Sequence, residues 1–286
     1  MTRFVLGTAQ FGAGYGVTNS VGRLSDEAVR ELTRRALARG VGLFDTAANY
    51  DDAQSRLGGA LAAAGGGGEV ITKFSLPASG EATEEGIVGA SLRSLAGAPV
   101  HGILLHRVED LRDPRFEGAL RILRAARADG VVTRIGVSIY DESDLATAVE
   151  VFADLDLIQI PGSVLDRRLL DSPALAALHA SGVEVHVRSA FLQGLLLADP
   201  ATLAPRFAPL VPQLVELRRV AESYGIPLVN LLVQQVRDHP VTDAVVIGAT
   251  AVSELDEALD AFESGERDRV DLAALPVEVV DPRMWR

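Results

Sequence analysis

Residues 42–73 read GLFDTAANYDDAQSRLGGALAAAGGGGEVITK. Two short β-rich runs, Gly42–Asp45 and Val70–Lys73, flank a stretch of helical periodicity over Ala53–Ala63. A strand, a helix and a strand within roughly 30 residues form the crossover unit of a parallel sheet, because parallel strands cannot be joined by a tight turn. Both strands end on ionisable side chains, Asp45 and Lys73, so this unit brings polar chemistry to the strand C-termini. The run Gly65–Gly68 precedes a strand. That places it at the opposite end, where it reads as a flexible connection and not as a phosphate cradle.

Working outward, the same rhythm continues in both directions. Strands are expected at Phe4–Gly7, Gly102–His106, Arg134–Ser138, Leu157–Ile160, Glu184–Val187 and Ala244–Ile247, making eight with the two above. Helices are expected at Asp26–Arg39 behind the N-cap Ser25, and at Thr83–Leu95, Pro114–Ala128, Glu142–Phe152 and Pro173–Ala180. A pair follows around Pro212–Tyr224 and Pro227–Asp238, then Ser253–Glu263. Eight β-then-α units predict an α/β fold of the (β/α)8 TIM-barrel type, with a doubly wound open sheet as the alternative. The whole of 1–286 reads as one domain, with a substrate loop and C-terminal tail from about residue 265. The Pro-containing loop Leu195–Pro212 has the length of a lid or binding segment.

Composition narrows the function. With 39 acidic and 27 basic side chains, the net charge of −12 repels nucleic acid and anionic membrane surfaces, and no Lys/Arg run counters it. There are no cysteines, which excludes disulfides, thiolate catalysis and Cys-ligated metals. The N-terminal apolar run breaks at Gly7, too soon for a signal segment or for the ~20 residues of a membrane span, so a cytoplasmic location is expected. His101, His106, His179, His186 and His239 fall in no short metal-ligand pattern, and no metal is expected.

In a barrel, active sites form at the C-terminal ends of the strands. Three consecutive expected strands end in Asp45, Lys73 and His106, and Tyr50 lies on the loop after Asp45. Singly, each has an ordinary reading: an Asp caps a helix, a Lys snorkels, a His sits satisfied in a core. Together they form a catalytic group. A phenol is a poor acid at neutral pH, and a neighbouring ammonium draws its pKa down. Lys73 would supply that charge, Asp45 would keep the ammonium charged and oriented, and His106 would polarise a substrate oxygen. The backbone of Gly248, Ala249 and Thr250 is expected to open the last helix, where free N–H groups favour phosphate.

FDTAANY (Asp45, Tyr50), TK (Lys73, twenty-three beyond Tyr50) and LLHR (His106, thirty-three beyond Lys73) carry a resemblance to the aldo-keto reductase family. So do GTAQFG, RLGGAL, RIGVS, LIQIP, RSAFLQGLL and VVIGAT, in order along the chain. The resemblance implies a barrel oxidoreductase that uses NADP or NAD on a small carbonyl or alcohol, with Asp45, Tyr50, Lys73 and His106 catalytic. It implies Gly7, Thr8 and Asp45 on the cofactor side, Ser138 and Gln159 on the nicotinamide carboxamide, and the loop carrying Arg188, Ser189, Phe191, Gln193 and Gly194 over the pyrophosphate. The carboxamide reading has a physical counterpart, because Ser and Gln together supply both donors and acceptors.

The chain also departs from the family. Arg188 stands where many members carry an aromatic residue, and is expected either to stack on the cofactor or to pair with an acid such as Asp45. Glu254 and Ala258 stand where NADP-preferring members place a cation and an Asn. Because a carboxylate repels a 2′-phosphate, NAD is expected at least as readily as NADP, unless Arg267 or Arg269 swings in. Gln54 replaces a common Glu, and Ser163 a frequent Asn. Tyr15, Tyr140, Phe191, Met284 and Trp285 are candidate walls for a sugar-derived carbonyl compound, with ordinary packing as the plain alternative. Two other functions stand beside the reductase: a Schiff-base aldolase or isomerase using Lys73, and a cofactor-binding regulatory subunit without turnover.

Overall fold

The computed structural model describes residues 1–76, 83–265, 269–270, 272 and 275–285, without the side chains of residues 84 and 85. Eight parallel strands close into a barrel in sequence order. They are β1 (Arg3–Gly7), β2 (Leu43–Asp45), β3 (Glu69–Phe74), β4 (Val100–Leu105), β5 (Val132–Ser138), β6 (Leu157–Pro161), β7 (Glu184–Arg188) and β8 (Ala244–Gly248). Closure is direct, with β1 paired along its full length with β8 from Arg3↔Ala244 to Gly7↔Gly248. The open-sheet alternative is thereby set aside, and each expected strand is present within about two residues.

The helices form for reasons visible in their sequences. Helix Asp26–Ala38 begins where the Ser25 side chain accepts from Ala28 N, and buries Val29, Leu32, Thr33 and Ala36 on one stripe. Its far end is tied to the last long helix, Val252–Glu263, by Arg35 and Arg39 on Asp256 (2.8 and 3.1 Å), which braces the closure from outside. Two differences from expectation matter here. Helix Phe116–Ala128 starts later than Pro114, because Val108–Arg112 winds into a 3₁₀ turn and Asp113 bonds Arg115 N. The last helix opens at Val252, so Gly248–Thr250 form the loop before it instead of its first turn.

Side chains on alternate residues of each strand point into the barrel and stack in layers. Val5, Leu43, Ile71, Leu104, Leu157 and Ala244 make one apolar interior cluster. Two residues further along these strands, on the same face, come Gly7, Asp45, Lys73, His106, Gln159 and Val246. The upper layer, polar at Asp45, Lys73, His106 and Gln159, is thus the next step of a two-residue period whose previous step is hydrophobic. A second apolar cluster lies outside the barrel, where Leu192, Leu195, Leu196, Phe207 and Leu214 pack with Val279 and Val280. Among the described residues, no helix is long and apolar enough to cross a membrane.

Candidate active site

Asp45 and Lys73 are both buried and in contact. Lys73 Nζ donates to Asp45 Oδ1 (2.6 Å), Asp45 Oδ2 (2.7 Å) and the Thr46 carbonyl (2.8 Å). Those three acceptors use all three N–H donors of an ammonium. Gln159 Nε2 donates to Asp45 Oδ2 at 2.8 Å, so the carboxylate is held from both sides. Gln159 Oε1 is left buried without a partner. Ser138 is the register neighbour of Gln159 across β5 and β6.

Tyr50 is half-buried beside this group, with Lys73 Nζ 5.4 Å from its ring centroid. His106 follows β4, its backbone N donating to Phe74 O at 2.7 Å, and its ring meets that of Tyr50 edge-on at 5.5 Å. Glycine enforces this placement. A Cβ on Gly12, the last residue of GTAQFG, would lie 1.9 Å from Tyr50 O, so only glycine lets the short helix Ala9–Gly12 approach the Tyr50 loop.

The electrostatics revise one expectation. Burial, then the Asp45 charge, push the Tyr50 phenol well above its usual value, opposed by Arg188, so the phenol is not made acidic even with Lys73 in place. Every Lys73 donor is already taken by Asp45 and Thr46, and the ammonium lies by the Tyr50 ring. Burial pulls Lys73 below its ordinary value while its contacts with Asp45 oppose the change. Burial, with Lys73, Arg188 and Arg107 nearby, holds His106 down at about 3, so its imidazole is neutral above mildly acidic pH. A neutral imidazole carries one N–H, and Asn49 Oδ1 contacts Nδ1. Asn49 therefore decides the tautomer: an accepting oxygen keeps the proton on Nδ1, and a donating amide leaves it on Nε2.

Asp45 and Tyr50 open on a cavity of about 470 Å³. Gly7, Thr8, Asp45, Tyr50, Arg188, Ser189, Phe191, Gln193, Gly194, Gly248, Ala249, Thr250 and Glu254 line it. Lys73, His106, Ser138 and Gln159 stand outside that lining, with Lys73 and Gln159 buried against Asp45. Thr8 is occupied with the Asp45 backbone, its N and Oγ1 both 2.9 Å from Asp45 O. Sequence reasoning missed Gln10, Asn19 and Glu257 on the cavity wall, and Asn49 on His106.

The loop after β7 has an unusual backbone. Ser189, Leu192 and Gln193 adopt φ of 68°, 50° and 54°, the left-handed region that side chains disfavour. It is held from behind by the buried Leu192, Leu195 and Leu196. At its start, the Arg188 guanidinium lies 4.2 Å from the Tyr140 ring centroid and donates to Ile139 O at 3.1 Å. The ion pair with Asp45 is not formed, because Lys73 and Gln159 hold that carboxylate.

Glu254 Oε2 accepts from Thr250 N (2.7 Å) and Thr250 Oγ1 (2.9 Å), which sets the turn before the last helix. Arg269 is held by Asp171 at 3.1 Å, and Arg267 lies outside the described residues. Gln54 joins a buried network with Thr72, Ser91 and Ser94, and Ser163 accepts from Leu165 N and Asp166 N. Trp285 packs on Phe207 at 5.2 Å and donates to Val279 O, so it is a strut of the outer cluster.

A sequence profile described as the Aldo/keto reductase family matches residues 3–275. Among solved structures, an aldo-keto reductase from Bacillus halodurans in its holo form superposes with a TM-score of 0.72 at 21% identity, covering 93% of this chain and 88% of that one. A glycerol dehydrogenase from Gluconobacter oxydans superposes at 0.70 with 23% identity, covering 93% and 88%. An aldo/keto reductase from Klebsiella pneumoniae in complex with NADP and acetate superposes at 0.70 with 20% identity, covering 94% and 95%. At these identities the likeness carries the fold. A search of the curated proteins returns no match.

Proposed function

This chain belongs to the aldo/keto reductase family, and from that premise we propose that it reduces an aldehyde or ketone, sugar-derived carbonyls included, with Tyr50 as the proton donor. The observation that carries this is the contact of Asp45, Lys73 and Gln159 beneath a cavity on which Tyr50 opens, with His106 against its ring. NADH or NADPH, when bound, supplies the hydride. The residues fit a nicotinamide dinucleotide: Gln159 Oε1 is a buried acceptor in need of a donor, such as a carboxamide N–H, and Ser138 stands beside it. The loop Ser189–Gly194 and the turn Gly248–Thr250 would hold the pyrophosphate, with the Thr250 N–H already committed to Glu254.

Tyr50 keeps its proton at neutral pH and gives it up as charge develops on the carbonyl oxygen, a donor poised for reduction. Asp45 and Gln159 fix Lys73 so that its positive charge stands by the ring where the phenolate would form. His106, neutral, orients the carbonyl through Nε2, the nitrogen that Asn49 does not contact, donating to it when Asn49 leaves the proton there. Glu254 and Glu257 line the cavity by the last helix, where a 2′-phosphate would meet two carboxylates; this favours NADH at least as much as NADPH. Schiff-base chemistry is disfavoured, since Lys73 would have to abandon Asp45 and Thr46 to present a free amine.

The test is a fluorescence titration with NADH and NADPH, followed by a panel of carbonyl compounds and sugars. Tyr50→Phe should lower turnover by about 10²–10⁴-fold and leave cofactor affinity within about twofold. Turnover close to wild type in that variant overturns the role of Tyr50. Tight cofactor binding with no carbonyl reduced would instead favour the regulatory subunit.

A further inference from the structure

Resting on that carbonyl-reducing reading, we propose that the substrate carries an anionic group, a carboxylate or a phosphate, and that Arg188 binds it. The argument starts from charge pairing. Three cations face His106: Lys73 is spent on Asp45 at 2.6 Å, and Arg107 on Asp110 at 2.7 Å. Among the described residues, no carboxylate pairs with Arg188. It donates to Ile139 O at 3.1 Å and reaches Ser189 Oγ at 3.5 Å, which leaves part of a guanidinium's five donors without a protein acceptor.

A second arginine on the same ring makes the contrast. Arg283 lies 4.5 Å from the Tyr140 centroid, and it is tied to Asp281 (2.7 Å), Asp141 (2.8 Å) and Asp144 (3.8 Å). The chain has twelve more acidic than basic side chains, yet its described residues supply three carboxylates to Arg283 and none to the arginine on the cavity wall. Half-burying a guanidinium without a counter-charge is unfavourable, and an incoming anion relieves it. The Arg188 guanidinium carbon lies 4.2 Å from the Tyr140 ring centroid, and the donors that Ile139 and Ser189 leave unused are the kind that pair with a carboxylate or phosphate. Arg188 is therefore a cation, with no carboxylate paired to it among the described residues, on the wall of a cavity that Tyr50 also lines.

Matched aldehydes test this: succinic semialdehyde against butanal for the carboxylate, and D-glyceraldehyde 3-phosphate against D-glyceraldehyde for the phosphate. Wild type, Arg188→Gln and Arg188→Lys are compared, with NADH and NADPH affinities and melting temperatures measured on the same preparations. In the wild type, kcat/KM for at least one anionic member should exceed that of its neutral partner by about 10–100-fold, the range of a charged hydrogen bond. Arg188→Gln should bring that ratio within about threefold, chiefly through KM, with cofactor affinity retained, and Arg188→Lys should keep part of it. The pair that responds identifies the anion. Wild-type ratios near one for both pairs overturn the proposal, as does an Arg188→Gln variant that slows charged and neutral members alike or loses its preference through weaker cofactor binding. Reduction of none of the four aldehydes nor of any other carbonyl, with NADH or NADPH still bound, marks the failure of the carbonyl-reducing reading itself.

Discussion

At the C-terminal end of the strands Asp45 holds an ammonium and an amide, whereas at the N-terminal end Glu184 is met by Arg3, Arg134, His101 and His186. Both clusters lie inside the barrel and both are rich in charge. They differ in what is left over. Glu184 is held below the usual carboxylate range by the imidazoles and Arg3 against the opposing effect of burial, and its surroundings consume its hydrogen-bonding capacity. His186 Nδ1 is unpartnered there, but His186 is fully buried and lines neither the 470 Å³ cavity nor the basal one of 290 Å³. The ligand atoms of His101, Glu184 and His186 lie within 4.8 Å of one another, a spacing that suits a metal; Arg3 and Arg134 already bring positive charge to that carboxylate. At the upper end, the Arg188 guanidinium keeps donors without a protein acceptor on the wall of the larger cavity, and Gln159 Oε1 is unmatched in the buried layer off that lining. A cation on a cavity wall with no carboxylate paired to it among the described residues separates the reactive end from the structural one, where Arg134 Nε also lacks a hydrogen bond but stands 3.6 Å from the Glu184 carboxylate.

Three substitutions probe that contrast, beginning with the largest effect. Lys73→Met leaves Asp45 buried with an uncompensated charge and should cost about 3–5 kcal/mol of stability, read by denaturant unfolding, along with most of the turnover. A melting curve matching wild type would show that Asp45 does not depend on its ammonium. Glu184→Gln should cost about 1–3 kcal/mol, at the lower end because the Arg3 side chain is 41% exposed, and kinetic constants should stay as in the wild type. It should also flatten the acid limb of stability. The Glu184 carboxylate stays charged in the folded state below the unfolded value of 4.5, so its contribution is complete above that pH and fades as pH falls further. A change in kcat with Glu184→Gln would join the two ends that the structure separates. Smallest, Asn49→Asp should lock the His106 proton on Nδ1 and lower kcat by about tenfold, or 1.4 kcal/mol, more than Asn49→Ala does. Nitrogen-15 shifts of the His106 imidazole report the tautomer directly, and an unchanged tautomer in Asn49→Asp would remove Asn49 from the account.

The barrel was readable because its strands are short, apolar and separated by helices with clear caps, as at Ser25. The reactive layer was readable for a related reason: Asp45, Lys73 and His106 interrupt apolar runs at the point where a two-residue period puts them inside. The lower cluster was missed although its signal was present. In EVHVR, Glu184, His186 and Arg188 share one face and alternate with valines, so a single strand carries polar side chains through all three layers. His101 needed more than period. The β3–β4 register slips between Val70 and Ile71, which pair with Val100 and Gly102, and leaves His101 as the extra residue beside Glu184. Contacts such as Asn49 on His106, or Tyr140 between the chemistry and the tail, join segments far apart in the chain and leave no local pattern.

The left-handed residues of the loop after β7 carry a consequence of their own. Each of Ser189, Leu192 and Gln193 holds a conformation about 1–2 kcal/mol above the ordinary one, and the leucines buried behind them keep it there. The binding wall is in effect clamped by a greasy anchor outside the barrel, so trimming Leu195 or Phe207 would slacken a surface that neither touches. A molecule that docks against this wall meets a shape set when the chain folded, and the loop has little remaining disorder to surrender on its arrival.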